Sequence, residues 1–178
     1  MLNDDRESLF KSWLVDHAGT VLKVARAYAF TTEDRQDLAQ EILLQVWRSI
    51  PRFEGRASPT TWFYRVALNT ALGWRRQERR RKARQQPVLE VEDPSVAGLD
   101  VDSAQQIAER ETVERLYAAI RQLPKTDAAL VLLYLDDMTY RQIAEVLGIS
   151  ENNVGVKLNR AKKALGKLMN NNEDSHGT

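Results

Sequence analysis

The chain has 178 residues, no cysteine, and 26 basic against 25 acidic residues, a formal net charge of +1. That length allows one domain or two small ones with real cores, and the absence of thiols excludes a disulfide framework or a thiolate metal site. No global positive field draws the protein to nucleic acid. The charge is segregated instead: eight basic residues stand between Arg65 and Arg84 against Glu78 alone, while residues 85–109 carry six acids and no Lys or Arg.

The N-terminal stretch MLNDDRESLFK is too acidic and too poor in apolar residues for a signal peptide. No apolar run approaches the length that spans a bilayer, so the expectation is a soluble, cytoplasmic protein without direct membrane insertion. Asp4 or Asp5 is expected to cap a first helix with an apolar stripe of Leu9, Phe10, Trp13, Leu14, Val21, Leu22, Ala25 and Tyr28. His17 lies inside that stripe and reads as a half-buried packing residue, because no second histidine or carboxylate cluster accompanies it as a metal ligand set.

Thr31 or Thr32 opens a second helix running to about Ile50, where Pro51 stops it. Leu38, Ile42, Val46 and Trp47 face inward. Asp34, Asp37 and Glu41 share the other side, with Gln40 and Gln45 nearby. Like charges at this spacing repel by a few tenths of a kcal/mol per pair. Spacing alone favours a solvated face over a docking surface for a basic helix.

Residues 51–58 (PRFEGRAS) form a loop pivoting on Gly55, and Ser58-Pro59 supplies the cap and first turn of a third helix ending near Arg84. That helix begins aromatic with Trp62, Phe63 and Tyr64, and Trp74 sits just ahead of the arginines. Aromatics that stack on bases beside arginines that hold phosphate suit single-stranded or distorted DNA, whereas a core role accounts for at least one of Trp62 and Phe63. Residues 85–103, with Pro87, Pro94, Gly98 and no sustained period, read as a flexible acidic linker.

Beyond it, a helix with Ile107, Val113, Leu116, Ile120 and Leu123 is broken by Pro124. Another, rich in Leu130, Leu132, Leu133 and Leu135, runs from about Asp127 to Asp136. Thr139 caps a short helix whose apolar side is Ile143, Val146 and Leu147, with Ala144 at the closest approach to the next helix. Gly148 ends it in a left-handed turn, Ile149 fills the corner, and Ser150 caps a helix from about Glu151. Val154, Leu158, Ala161 and Leu165 make its inward stripe. Asn153, Val156, Arg160 and Lys163 lie opposite, with Lys157 on the edge. Five basic residues and no acid fall between Lys157 and Lys167.

This is the pattern of a helix-turn-helix reading the major groove: Asn152 or Asn153 at base edges, Lys157, Arg160 and Lys163 at phosphates. The alternative is an ordinary helical hairpin with a solvated basic face. With no strand-period segment, the fold class is all-α: two small helical domains, residues 1–84 and 104–170, joined by the linker and followed by a disordered tail at 171–178.

In order along the chain, Asp37-Leu38-Ala39-Gln40-Glu41, Phe53-Glu54-Gly55-Arg56-Ala57-Ser58 and Thr61-Trp62-Phe63-Tyr64-Arg65-Val66-Ala67-Leu68-Asn69 resemble region 2 of bacterial extracytoplasmic-function (ECF) sigma factors. The segment from Leu123-Pro124 to Leu168 resembles their region 4. The resemblance implies a promoter-specific initiation factor for RNA polymerase that reads the −10 and −35 elements and traps melted DNA. Asp37, Gln40 and Glu41 then match the face that docks on the β′ clamp helices, which reverses the reading from spacing alone. Phe53, Arg56 and Trp62 match the part that captures a flipped −10 base, and Asn69, Arg75 and Arg76 the helix along which the melted strand lies. Ser150, Asn152, Asn153, Val156, Lys157, Arg160 and Lys163 fall on the −35 reader.

The resemblance further implies contact with the β flap, an anti-sigma partner, no catalytic residue, no metal and no cofactor. Gly73, Gln142 and Gly155 depart from the family pattern, standing where aspartate, glutamate and lysine are usual, which bears on promoter sequence and not on class. Two other classes fit parts of the chain. A stand-alone helix-turn-helix regulator leaves the Asp37–Glu41 face unexplained, and a helical adaptor leaves the basic last helix unexplained.

Overall fold

The computed structural model describes residues 3–84 and 104–174. Among the described residues every regular element is helical: α1 (Asn3–Tyr28), α2 (Thr32–Ser49), a short 3-10 helix (Ile50–Arg52), α3 (Pro59–Arg84), α4 (Ala104–Gln122), α5 (Lys125–Leu135), α6 (Tyr140–Leu147) and α7 (Glu151–Asp174). The linker expected at 85–103 lies outside the described residues.

The helix ends follow from local chemistry. The Thr31 hydroxyl accepts from the Asp34 amide at 3.0 Å, and Glu33 and Asp34 in the first turn complement the positive end of α2. Pro51 has no amide to continue α2, so the chain tightens into the 3-10 turn, closed by Phe53 N–H on the Ile50 carbonyl at 2.9 Å. The Ser58 hydroxyl accepts from the Thr61 amide at 3.1 Å, and Pro59 starts α3.

Helices α1, α2 and α3 each pack on the other two. Their shared core holds Trp13, Val21, Val24 and Tyr28 from α1, Leu38, Ile42 and Val46 from α2, and Phe63, Ala67, Leu68 and Ala71 from α3. Burial of each large apolar side chain stabilises by about 1.5–3 kcal/mol. In the second half α5 is the centre. Residues 128–133 are all buried, and α5 touches α4, α6 and α7.

The two halves also pack on each other, α1 against α4 and α5, and α3 against α6. The Tyr28 hydroxyl donates to the Lys125 carbonyl at 2.9 Å, and Arg121 Nη1 donates to the Arg26 carbonyl at 3.0 Å. Lys23 pairs with Asp136 and Arg26 with Glu114, the Arg26 guanidinium lying 4.6 Å from the centre of the Tyr117 ring.

Several expectations are corrected. Asp4 and Asp5 lie inside α1, which already begins at Asn3, so neither caps it. Leu22 is 65 % exposed and Val24 takes its place, because Val21, Val24, Ala25 and Tyr28 form one face. Val113 is exposed, and Tyr117 completes the α4 stripe with Ile120 and Leu123. Residues 171–174, expected in a disordered tail, belong to α7, which continues to Asp174; the rest of that expected tail, 175–178, lies outside the described residues. His17 is buried rather than half-buried, its ring 4.8 Å from that of Phe63.

Candidate nucleic-acid interface

The helix-turn-helix is fixed by three local devices. Thr139 accepts from the Gln142 amide at 3.3 Å while the Gln142 side chain accepts from the Thr139 amide at 2.9 Å, so two otherwise unpaired donors at the start of α6 are satisfied reciprocally. Gln142 thus performs the reciprocal cap that a glutamate would. Gly148 ends α6 at φ 67°, and its amide returns to the Ala144 carbonyl. The Ser150 hydroxyl then receives the Asn153 amide at 3.4 Å and opens α7.

Along α7 the inward stripe is Val154, Leu158 and Ala161, all buried, with Leu165 partly so. That burial fixes the helix rotation and turns Asn152, Asn153, Val156, Lys157, Arg160 and Lys163 outward, every one exposed. Val156 is a bare apolar side chain, 55 % exposed, among polar and basic neighbours. A thymine methyl is the kind of base feature such a side chain meets. Lys162 is directed elsewhere, its Nζ 3.4 Å from the centre of the Tyr134 ring on α5. Ser150 is exposed at the helix start, where backbone N–H groups favour a phosphate.

In the first half, Asp37 and Gln40 are exposed on α2. Glu41 is half-buried and accepts from Gln45 Nε2 at 2.7 Å. Glu41, Gln45 and Ser49 of α2 face Val66, Asn69, Thr70, Gly73 and Trp74 of α3 across an open cavity of about 380 Å³. Phe53 and Trp62 form a separate group: with Trp13 they make an aromatic triad, Trp13–Phe53 edge-on at 4.9 Å, Trp13–Trp62 at 5.2 Å and Phe53–Trp62 at 5.5 Å. Phe53 therefore rests on α1, and the loop it begins is pinned at one end. Gly55 turns at φ 71°, and Arg56 beyond it pairs with Glu54 at 2.5 Å, both exposed. Asn69 is exposed on α3; Arg75 and Arg76 lie on the same helix, their side chains outside the described residues.

The comparisons with known proteins match this layout. The model of Sigma-70 region 2 matches residues 13–81, which covers most of α1 and all of α2 and most of α3. The model of Sigma-70, region 4 matches residues 113–165, from within α4 into α7. An ECF RNA polymerase sigma factor, SigX of Bacillus subtilis (strain 168), is 27% identical over 135 residues, covering 75% of this chain and 70% of its own. SigM of Mycobacterium tuberculosis (strain H37Rv), also an ECF RNA polymerase sigma factor, is 27% identical over 154 residues, covering 86% and 73%.

The chain belongs to the ECF sigma factors of the sigma-70 family.

Solved structures give the same fold. The sigma factor RpoE in complex with the anti-sigma factor NepR from Bartonella quintana superposes with a TM-score of 0.70 at 17% identity, covering 90% of this chain and 96% of that one. CnrH in complex with the cytosolic domain of CnrY gives 0.65 at 18% identity, covering 92% and 89%. In sigma-factor terms, the region 2 match contains both the acidic α2 edge and the aromatic triad, and the region 4 match contains the whole turn between α6 and α7.

Four side chains shape these surfaces in ways that the sequence does not show. Trp13 was identified only as core, whereas it also anchors the Phe53 loop. Gln45, Ser49 and Thr70 line the cavity with Glu41 and Asn69, a juxtaposition of two helices that spacing within one helix does not reveal. Among the described residues no group of three or more His, Asp or Glu is arranged to hold a metal ion. No described helix is long and apolar enough to cross a membrane.

Proposed function

We propose that this sigma factor docks on the β′ clamp helices of core RNA polymerase through Asp37, Gln40 and Glu41 and on the β flap through its second half. It recognises the −10 element with the Phe53–Arg56 loop, Trp62, Asn69, Arg75 and Arg76, and the −35 element with the outward face of α7. Melted DNA is held, not cut, and the protein carries no catalytic role. It acts in the cytoplasm, and an anti-sigma protein binds it, as NepR is in complex with the sigma factor RpoE of Bartonella quintana.

The observation that carries this reading is the pairing, in one chain, of an exposed acidic edge on α2 with an exposed basic face on α7. A regulator needs only the second and an adaptor only the first. The acidic edge suits a cationic partner, since each partly desolvated charge contact contributes roughly 1–3 kcal/mol. Opening duplex DNA costs about 1–2 kcal/mol per base-pair step in stacking, and a captured base offsets part of it.

The test is a pull-down and gel shift with purified core polymerase. Asp37→Lys with Glu41→Lys should abolish polymerase capture while circular dichroism and melting stay as in the parent. Undiminished capture would remove the docking face. Arg56→Ala with Asn69→Ala should leave capture intact yet slow promoter opening, read as permanganate reactivity of unpaired thymines, and a pre-melted template should restore part of the loss. Co-purification of the native protein tests for the anti-sigma partner.

A further inference from the structure

We propose that Arg6 is a positioning residue for the −10 reader. It stands in for the backbone amide that Pro51 lacks, and so fixes the direction in which the chain leaves α2 for the Phe53–Arg56 loop. The proposal deepens the reading above and rests on its assignment of that loop to the −10 element.

The need arises in the sequence. A carbonyl inside an α-helix accepts from the amide four residues on. At the end of α2 the Ile50 amide still returns to the Val46 carbonyl, but the next carbonyl, that of Trp47, meets Pro51, which has no N–H. Arg6, 41 residues earlier, supplies the donors: its Nε reaches the Trp47 carbonyl at 3.2 Å and its Nη2 at 2.5 Å. A guanidinium suits the position twice over. Its fork brings two N–H groups to one oxygen, and its charge lies at the negative end of α2. It also lies 4.0 Å from the centre of the Trp47 ring, which Phe10 meets edge-on at 5.3 Å.

This contact begins a longer series. Arg6, Phe10, Trp13 and His17 follow at steps of four, three and four residues, so they share one face of α1. Along that face Arg6 and Phe10 hold Trp47, Trp13 holds Phe53 and Trp62, and His17 holds Phe63. The end of α2, the loop and the start of α3 are thus laid against a single helix face. Ring contacts set where side chains rest. The bond from Arg6 is to backbone, and it sets where the chain itself points as it enters the 3-10 turn. The Sigma-70 region 2 match begins at residue 13, so Arg6 and Phe10 stand ahead of it, and the fold is what gives them a role.

The test introduces Arg6→Met, which keeps a stem over Trp47 and removes the donors, into two backgrounds. One is the parent and the other is Pro51→Ala, where residue 51 regains an amide for the Trp47 carbonyl. In the free protein, hydrogen exchange of the amides at residues 50–58 should quicken several-fold in Arg6→Met, with α3 beyond residue 66 unchanged. Core polymerase should capture this variant as well as the parent. The complex should open promoter DNA several-fold more slowly, by permanganate reactivity, and bind a pre-melted template several-fold more weakly. In the Pro51→Ala background the loss caused by Arg6→Met should shrink to less than about twofold, whereas a merely stabilising side chain would cost the same in either. Equal losses in the two backgrounds, unchanged exchange at residues 50–58, exchange quickened evenly through the first three helices, or normal opening by Arg6→Met would each overturn the positioning role. A parent that neither binds polymerase nor opens promoter DNA would instead overturn the proposed function, and exchange in the free protein would still decide whether Arg6 stands in for the missing amide.

Discussion

Replacing Trp13 tests whether the loop that follows α2 is held by aromatic packing or by its own turn. Trp13 is 4% exposed, and tryptophan-to-alanine changes in such cores cost about 3–5 kcal/mol. Part of that cost belongs to Phe53, whose ring meets Trp13 edge-on at 87° and 4.9 Å; such pairs contribute about 0.5–1.5 kcal/mol beyond buried area. Phe53 is half-buried, so Phe53→Ala alone should cost about 1–2 kcal/mol. The double variant should then fall short of the sum by about 0.5–1.5 kcal/mol. Urea unfolding of the four proteins, followed by far-ultraviolet circular dichroism, measures this directly. With a slope of about 2 kcal/mol/M, 1 kcal/mol moves the midpoint by about 0.5 M. Affinity of the polymerase complex for a pre-melted template should fall in Phe53→Ala as well. Additivity within about 0.3 kcal/mol would show that Phe53 does not rest on Trp13, and the anchored-loop account would be refuted.

Two glycines seven residues apart should respond in opposite directions to alanine. Gly148 stands at φ 67° and should lose about 1–2 kcal/mol, whereas Gly155 is helical, its added Cβ meeting Tyr140 Cε2 at an ordinary 3.5 Å, and should gain about 0.5–1 kcal/mol; thermal melting decides both. Lys157→Ala and Arg160→Ala should each flatten the salt dependence of promoter binding by about one unit of log–log slope, while Asn153→Ala should change the preferred upstream sequence in a selection from random duplexes. Burial holds the His17 pKa below its ordinary value, only partly offset by Asp16. The unfolded chain therefore binds that proton more readily, so the stability His17 contributes is present above pH 6.5 and is lost as pH falls through the lower folded value. Urea midpoints between pH 7.5 and 5 should fall less in His17→Gln than in the parent.

Helix ends were legible because their chemistry is local. Thr31, Ser58, Thr139 and Ser150 each accept from the amide three residues on, and Gly148 takes the one backbone conformation that favours glycine. The α7 stripe was legible for a related reason: polar residues mark its outer side, so the period has a phase. The residues around Leu22 carry no such marker, since VLKVARAYAF is apolar on more than one face, and only packing against α2 and α3 decides that Val24 goes in. Residues 128–133 of α5 are buried all round and have no amphipathic period to read. The contacts between the halves were the least accessible. Lys23 and Asp136 are 113 residues apart, and nothing in either neighbourhood names the other. The same holds for the cavity, where Glu41 and Asn69 meet only because α2 and α3 pack side by side.

The division of α7 has a consequence for how such a protein changes its targets. Its inward residues, Val154, Leu158 and Ala161, are buried where the helix packs on α4, α5 and α6, and its outward residues are exposed. On the function proposed above, folding and address are thus written on separate sides of one helix, in an interleaved register. The address can be rewritten residue by residue without passing through an unfolded intermediate. Duplicated copies of the gene for such a chain are free to diverge in the promoters they serve while inheriting the same scaffold intact.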